Sequence, residues 1–272
     1  MAAISVPNMC GRYTLRQGLS EVADHLGGYQ LEKEQETGRG AATRTATCDA
    51  DSTAVLCGDG TTTRFNIAPT QNSLVLRQSF GDHTRLQTAY LRWGLVPSWS
   101  KTAQTQTPMI NARSETVTEK PSFRAAFQRR RCLVPADGFY EWKKAKGVNQ
   151  PYFFRMADDS VFLMAGIWET WVGEHNQTVD SYTILTTRAN ALMAKYHERM
   201  PVILTESRVE KWIDPSMPRL TAGQQQELFA PIDAKLMSCQ PANPIVNNNR
   251  SEGPECLVAP ESKPIPQLDL EL

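Results

Sequence analysis

The run Cys132-Leu133-Val134-Pro135-Ala136-Asp137-Gly138-Phe139-Tyr140-Glu141-Trp142 decides the fold. Two short apolar or aromatic segments, 132–135 and 139–142, flank the turn-forming trio Ala136-Asp137-Gly138. That pattern predicts two strands joined by a tight turn. Upstream, strand-like runs recur at 65–69, 73–76 and 87–95, with a weak one at 54–56. Downstream they recur at 152–156, 161–168 and 182–187, separated by Gly, Asp and Asn. Helices are expected at 122–130, 189–195, near 207–213 and at 221–229, and Ser20 is expected to cap a short helix that stops at Gly27-Gly28. No G-x-G-x-x-G, no phosphate-binding loop and no regular strand–helix alternation occurs, which argues against a doubly wound nucleotide-binding sheet. The expected fold is a single α+β domain: a largely antiparallel, barrel-like β core with peripheral helices.

The chain's 272 residues, 40% of them hydrophobic, suffice for a large core. Lys+Arg and Asp+Glu balance at 29 each, which excludes a globally basic nucleic-acid binder and leaves room for a local basic groove. The six cysteines form no C-x-x-C pair and the four histidines are scattered, so no metal and no cofactor are expected. Without a signal peptide or an apolar run of membrane length, a soluble protein of a reducing, cytoplasmic compartment is expected, nucleoid-associated if bacterial and nuclear if eukaryotic. Residues 1–9 read as an N-terminal extension or propeptide, 10–260 as a single domain with a flexible insertion at about 30–63, and 261–272 as a disordered tail.

Several residues could carry chemistry. Met9-Cys10 resembles a translation start, and trimming to Cys10 would leave a free α-amine beside its thiol. With pKa values of about 8 and about 8.5, both groups are partly reactive near neutrality. Such an aminothiol condenses with an aldehyde to an imine and closes to a thiazolidine; an inert buried thiol is the plain alternative. Asn111, Arg113 and Glu115 alternate, so in an extended segment they point the same way, with Asn111 orienting a reacting group and Arg113 clamping a phosphate. A loop entering a helix is equally compatible. Glu141 sits between large aromatics, where a carboxylate tends to hold its proton to higher pH and suits general acid–base work, unless the strand simply turns it outward. His197 can shuttle protons or serve merely as a cation at a helix end. Arg92, Trp93 and Trp99, with Arg129-Arg130-Arg131, suit stacking on bases and holding phosphates, or else a core and a solvated face.

Seven ordered blocks together resemble the SRAP family (SOS response-associated peptidase, also called abasic site processing proteins). They are Met9-Cys10-Gly11-Arg12-Tyr13, Asn66-Ile67-Ala68-Pro69, Arg92-Trp93-Gly94-Leu95-Val96-Pro97, Asn111-Ala112-Arg113-Ser114-Glu115, Pro135-Ala136-Asp137-Gly138-Phe139-Tyr140-Glu141-Trp142, Met164-Ala165-Gly166-Ile167 and His197-Glu198-Arg199-Met200-Pro201. The resemblance implies a sensor that recognises abasic sites in single-stranded DNA and joins them covalently to its N-terminal cysteine. It makes Cys10 the nucleophile, with Asn111, Glu141 and His197 lining the pocket. Arg113 and Arg199 would hold flanking phosphates, helped by Arg12, while Trp93 and Pro69 would shape the surface where bases stack or the strand kinks. The implied partner is single-stranded DNA containing abasic sites, with no metal and no membrane. A monomer is expected, with replication-associated proteins as further partners. In the family the cysteine follows the initiator Met directly, whereas eight residues precede Met9 here. The peptidase name refers to proposed autoproteolysis that would expose such a cysteine, and a Schiff base also permits lyase chemistry by β-elimination. The competing readings are a thiol peptidase using Cys10, His197 and Asn111, and a non-catalytic single-stranded DNA-binding module.

Overall fold

The computed structural model describes residues 11–26, 28–32, 55–56, 62–79, 82–104, 107–145 and 148–259. Among them the chain forms β1 (Arg12–Leu15), α1 (Leu19–Ala23), β2 (Gln30–Glu32), β3 (Val55–Leu56), β4 (Thr62–Ile67), β5 (Asn72–Ser79), β6 (Asp82–Trp93) and β7 (Asn111–Arg113). Helix α2 (Pro121–Arg129) leads into β8 (Arg131–Ala136), β9 (Gly138–Ala145), β10 (Val148–Met156), β11 (Phe162–Val172) and β12 (Thr178–Arg188). Then follow β13 (Arg199–Pro201), β14 (Ile203–Leu204), α3 (Glu206–Ile213), α4 (Ala222–Leu228) and β15 (Met237–Pro241).

The order β12-β11-β8-β5-β6 is hydrogen-bonded antiparallel throughout. Strand β6 then returns to β12 in parallel, pairing Ser181 with Arg92 and Tyr182 with Trp93, and closes a five-stranded barrel. Closure removes the open edges that an isolated sheet would expose. A second sheet, β15-β10-β9-β1-β4-β3, is antiparallel. The decisive run behaves as expected: β8 and β9 flank a bend at Asp137. Every residue of β8 is buried, because one face lines the barrel and α2 and α3 cover the other. This is why 132–134 reads as an unbroken apolar run rather than an alternating one. A Cβ on Gly138 would lie 2.2 Å from the Phe153 ring, so the bend requires glycine.

Local chemistry explains most helices. Pro121 opens α2, and Phe123, Ala126 and Phe127 form its buried stripe. Thr221 and Gln224 make a reciprocal capping box on α4. Two expectations need correction. Gly18, not Ser20, caps the first helix, and the Ser20 hydroxyl bonds Glu21 instead. The helix expected over 189–195 is only a short 3-10 turn, Met193–Lys195. There the Asn190 Oδ1 accepts the Met193 N–H at 2.9 Å, and Ala189 N–H bonds the Glu198 carbonyl at 2.9 Å, which folds the segment into a closed loop.

The core crosses between the two sheets. Trp93 is fully buried, stacked with Tyr182 at 6.4 Å and edge-on to Tyr13 at 5.2 Å. The hydroxyls of Tyr13, Ser73 and Tyr182 bond one another at 2.5–2.8 Å, so the barrel holds the first strand from inside. Residues 1–10, most of the 30–63 insertion and the 261–272 tail lie outside the described residues, although β2 and β3 belong to that insertion.

Candidate functional site

Strand β1 sits between β9 and β4 and is the element that brings the chain to the site. It pairs Arg12 with Tyr140, Tyr13 with Phe139 and Thr14 with Gly138. Buried Asp137 fixes that register: its carboxylate accepts from the Thr14 hydroxyl at 2.5 Å, Arg16 Nε at 3.0 Å, the Gln17 N–H at 3.2 Å and the Arg16 N–H. Cys10 itself lies outside the described residues. Two Cα steps of about 3.8 Å tie it to Arg12, whose strand partner Tyr140 immediately precedes Glu141.

Glu141 is 5% exposed and accepts the Trp142 N–H at 3.2 Å. Alternate residues of a strand share a face, so Phe139, Glu141 and Lys143 project together. The paired residues Phe154 and Tyr152 of β10 project with them. Tyr196 lies on this face, its ring 4.6 Å from Tyr152 and 5.1 Å from Phe154, with the Lys143 ammonium 5.3 Å above it. The hydrogen bond Tyr196 shares with Cys239 at 3.3 Å, together with burial, pushes its phenol up to about 12, so it stays neutral. His197 follows Tyr196 in sequence, and its N–H bonds the Met193 carbonyl at 3.0 Å. The Nδ1 of His197 accepts the Arg199 backbone N–H at 3.1 Å. In the neutral ring this places the proton on Nε2.

Beyond His197, β13 pairs with one edge of β12, while β7 runs parallel to the other. Asn111 is half-buried, Ala112 buried and Arg113 exposed, so Asn111 and Arg113 share a side as their spacing suggests. The Arg113 side chain has no hydrogen bond or ion pair with a described residue. Arg199 grips Glu115 with both terminal nitrogens, at 3.0 and 2.7 Å, and donates to the Thr186 carbonyl at 2.6 Å. Burial opposes ionisation of Glu115, but hydrogen bonds and charge from Arg199 outweigh it and hold the carboxyl below its ordinary range.

Other expected contacts are placed elsewhere. Arg12 turns inward, donating to Asn66 Oδ1 at 2.9 Å and to the carbonyls of Val246 and Asn247 at 2.6 and 3.3 Å. Burial lowers its pKa, and its guanidinium is engaged with the fold. Trp93 offers no face to a base, because its ring is enclosed and its Nε1 donates to the Ile110 carbonyl at 2.9 Å. Gly94 beside it needs its left-handed φ of 124° to turn the chain there. Pro69 is half-buried at the turn before β5. Of the three consecutive arginines, Arg130 pairs with Glu169, and Arg131 is buried on the carbonyls of Phe127, Trp212 and Met217, leaving Arg129 exposed. Sequence reasoning missed the supporting roles of Asp137, Asn190 and Asn66. An Asp-Gly pair reads as a turn, and nothing local says that its carboxylate is buried.

A closed five-stranded barrel is flanked by a second sheet in which the first strand lies against β9, the strand that carries the buried Glu141. The family model described as SOS response associated peptidase (SRAP) matches residues 9–249, and the chain belongs to that family. The abasic site processing protein YoqW of Bacillus subtilis is 38% identical over 194 residues, 71% of this chain and 84% of that protein. YoaM of the same organism, likewise an abasic site processing protein, is 32% identical over 252 residues, 92% and 98% of the two chains. The rat abasic site processing protein HMCES is 36% identical over 198 residues, 55% of its length. A crystal structure of a protein from Bacteroides thetaiotaomicron superposes with a TM-score of 0.62 at 26% identity, covering 72% of this chain and 85% of that one. Among the described residues no group of three or more His, Cys, Asp or Glu could hold a metal ion, and no helix is long and apolar enough to cross a membrane.

Proposed function

We propose that the chain captures abasic sites in single-stranded DNA through Cys10, once that residue carries a free α-amine. The observation that carries this reading is the course of β1, which begins two residues after Cys10 and pairs Arg12 with Tyr140, the neighbour of buried Glu141 on β9. Relatives named abasic site processing proteins, at 38% and 32% identity, support it.

The chemistry balances without a cofactor. A closed abasic sugar must open to its aldehyde, which requires a proton to leave the C1 hydroxyl and one to reach the ring oxygen. The Nε2–H of His197 is the donor for the ring oxygen, and Glu141 receives and returns protons. Attack by the Cys10 amine on the aldehyde forms a C=N bond and releases water. Addition of the thiol across that bond forms the C–S bond of a thiazolidine, with the thiol proton passing to nitrogen. Asn111 holds the amine, and Arg113 and Arg199 hold flanking phosphates. Ring closure removes the imine from which β-elimination would cleave the strand, so the lesion is protected as a protein–DNA cross-link.

The test uses protein beginning at Cys10 and an oligonucleotide with one abasic site. A species that survives heat and detergent on a denaturing gel is expected, and it disappears with Cys10→Ala or after N-terminal acetylation. A cross-link that persists after acetylation, or no cross-link at all, overturns the proposal. Cleavage of peptides that tolerates acetylation would instead favour a thiol peptidase.

A further inference from the structure

The β7–β12–β13 face carries a third arginine that the family blocks do not include. Thr186 of β12 pairs with Arg113 on one edge and with Pro201 on the other, and two residues along Arg188 pairs with Arg199. Paired residues project to the same side of a sheet, as do residues two apart on one strand. Arg113, Arg188 and Arg199 therefore share one face, and Arg199 confirms the direction by reaching the Thr186 hydroxyl at 3.4 Å. With strands about 4.8 Å apart and about 3.4 Å per residue, the row runs about 10 Å across and about 7 Å along the sheet. Arg188 is exposed and its side chain, like that of Arg113, has no hydrogen bond or ion pair with a described residue. The carboxylate bonded within the row is Glu115, and it is bonded to Arg199.

We infer that Arg188 is a further phosphate-binding residue, which with Arg113 and Arg199 forms a three-cation track for the backbone of a DNA single strand leaving the site. The inference rests on the DNA-binding reading above. Charge selects the occupant: a row of guanidiniums on adjacent strands, two without an acceptor among the described residues, matches a polyanion with regularly repeated charges. It also adds a contact that is independent of the lesion, because phosphates flank damaged and undamaged sugars alike.

The experiment measures binding of protein beginning at Cys10 to a labelled, undamaged oligothymidylate across a salt series. Arg188→Ala is expected to weaken binding several-fold at low salt. It should also make the slope of log K against log salt shallower by about 0.7, one phosphate on a single strand. Arg188→Lys should restore the slope, and the unchanged melting temperature of both variants should exclude a folding defect. Wild-type binding with the same slope in Arg188→Ala overturns this inference and leaves the functional proposal standing. Failure of the wild type either to bind the strand or to cross-link an abasic one overturns both.

Discussion

Residues 246–252 and the β7–β12–β13 face both gather arginines, and they use them in opposite ways. In the first region Arg12 spends its donors on Asn66 and the carbonyls of Val246 and Asn247. Arg64 holds Glu252 at 2.8 and 2.9 Å, and the other carboxylate oxygen of Glu252 accepts the N–H groups of Phe65 and Asn66 at 2.8 and 3.2 Å. The Asn66 amide then closes the cluster on the carbonyls of Asn248 and Ser251, both at 2.9 Å. This clasp ties β1 and β4 to the C-terminal segment. On the face, the Arg113 and Arg188 side chains find no acceptor among the described residues, and Arg199 shares its charge with a carboxylate that is half exposed. A guanidinium that is satisfied internally specifies the fold, whereas one left to water is available to an external anion.

Arg12→Ala should have the largest effect. It strips charged donors from two partly buried acceptors and one exposed one, which costs about 2–4 kcal/mol. For a domain of this size that lowers Tm on the order of 5–10 °C. The salt dependence of binding to an undamaged strand should not change, because Arg12 faces inward. A stable Arg12→Ala variant with a flattened salt slope would break the comparison and return Arg12 to the DNA-binding group. Arg113→Ala is the mirror case and a smaller effect. Its Tm should stay within about 0.5 kcal/mol of wild type in stability terms, while single-strand affinity falls several-fold and the slope flattens by about 0.7. Loss of Tm without loss of affinity would move Arg113 to the structural side.

The same contrast explains what the sequence could and could not reveal. The long strands β5, β6 and β8 to β12 were legible because turn residues bracket runs of β-formers. Strands β1, β7, β13 and β14 have two to four residues each, too few to show any period, and are strands only because longer neighbours offer them a ladder. Residues 189–195 have helical apolar spacing, yet Asn190 bonds the backbone locally and anchors the loop to the Ile232 carbonyl at 3.2 Å, so tertiary contacts override propensity. The residue types of the site were legible, but not their direction. Trp93 and Arg12 carry the right chemistry for DNA, but Trp93 is enclosed in the core and Arg12 is bonded to Asn66 and the C-terminal segment. Arg188 shows no motif, and only strand register places it beside Arg113 and Arg199.

Arg199 stands between the two groups, and Glu115→Gln decides where it belongs. In the resting protein Glu115 occupies the fork that a phosphate would need. Removing its charge should leave Arg199 in place on the Thr186 carbonyl and free its remaining donors. Affinity for an undamaged strand should then rise modestly, by a small factor, because one repelling carboxylate is gone. The stability change should be small, since an ion pair with a half-exposed partner contributes well under 1 kcal/mol. The sign with pH follows from the depressed carboxyl of Glu115. Its contribution to stability is fully present above the unfolded value of about 4.3 and is lost as pH falls through the lower folded value. Any Tm difference between wild type and Glu115→Gln should therefore fade on acidification below the ordinary carboxylate range, and the affinity difference should close over the same interval. Titrating both proteins by thermal melting and by strand binding checks the two trends together. If Glu115→Gln binds no more tightly at neutral pH, Arg199 is held by the fold as Arg12 is, and the phosphate track reduces to Arg113 and Arg188.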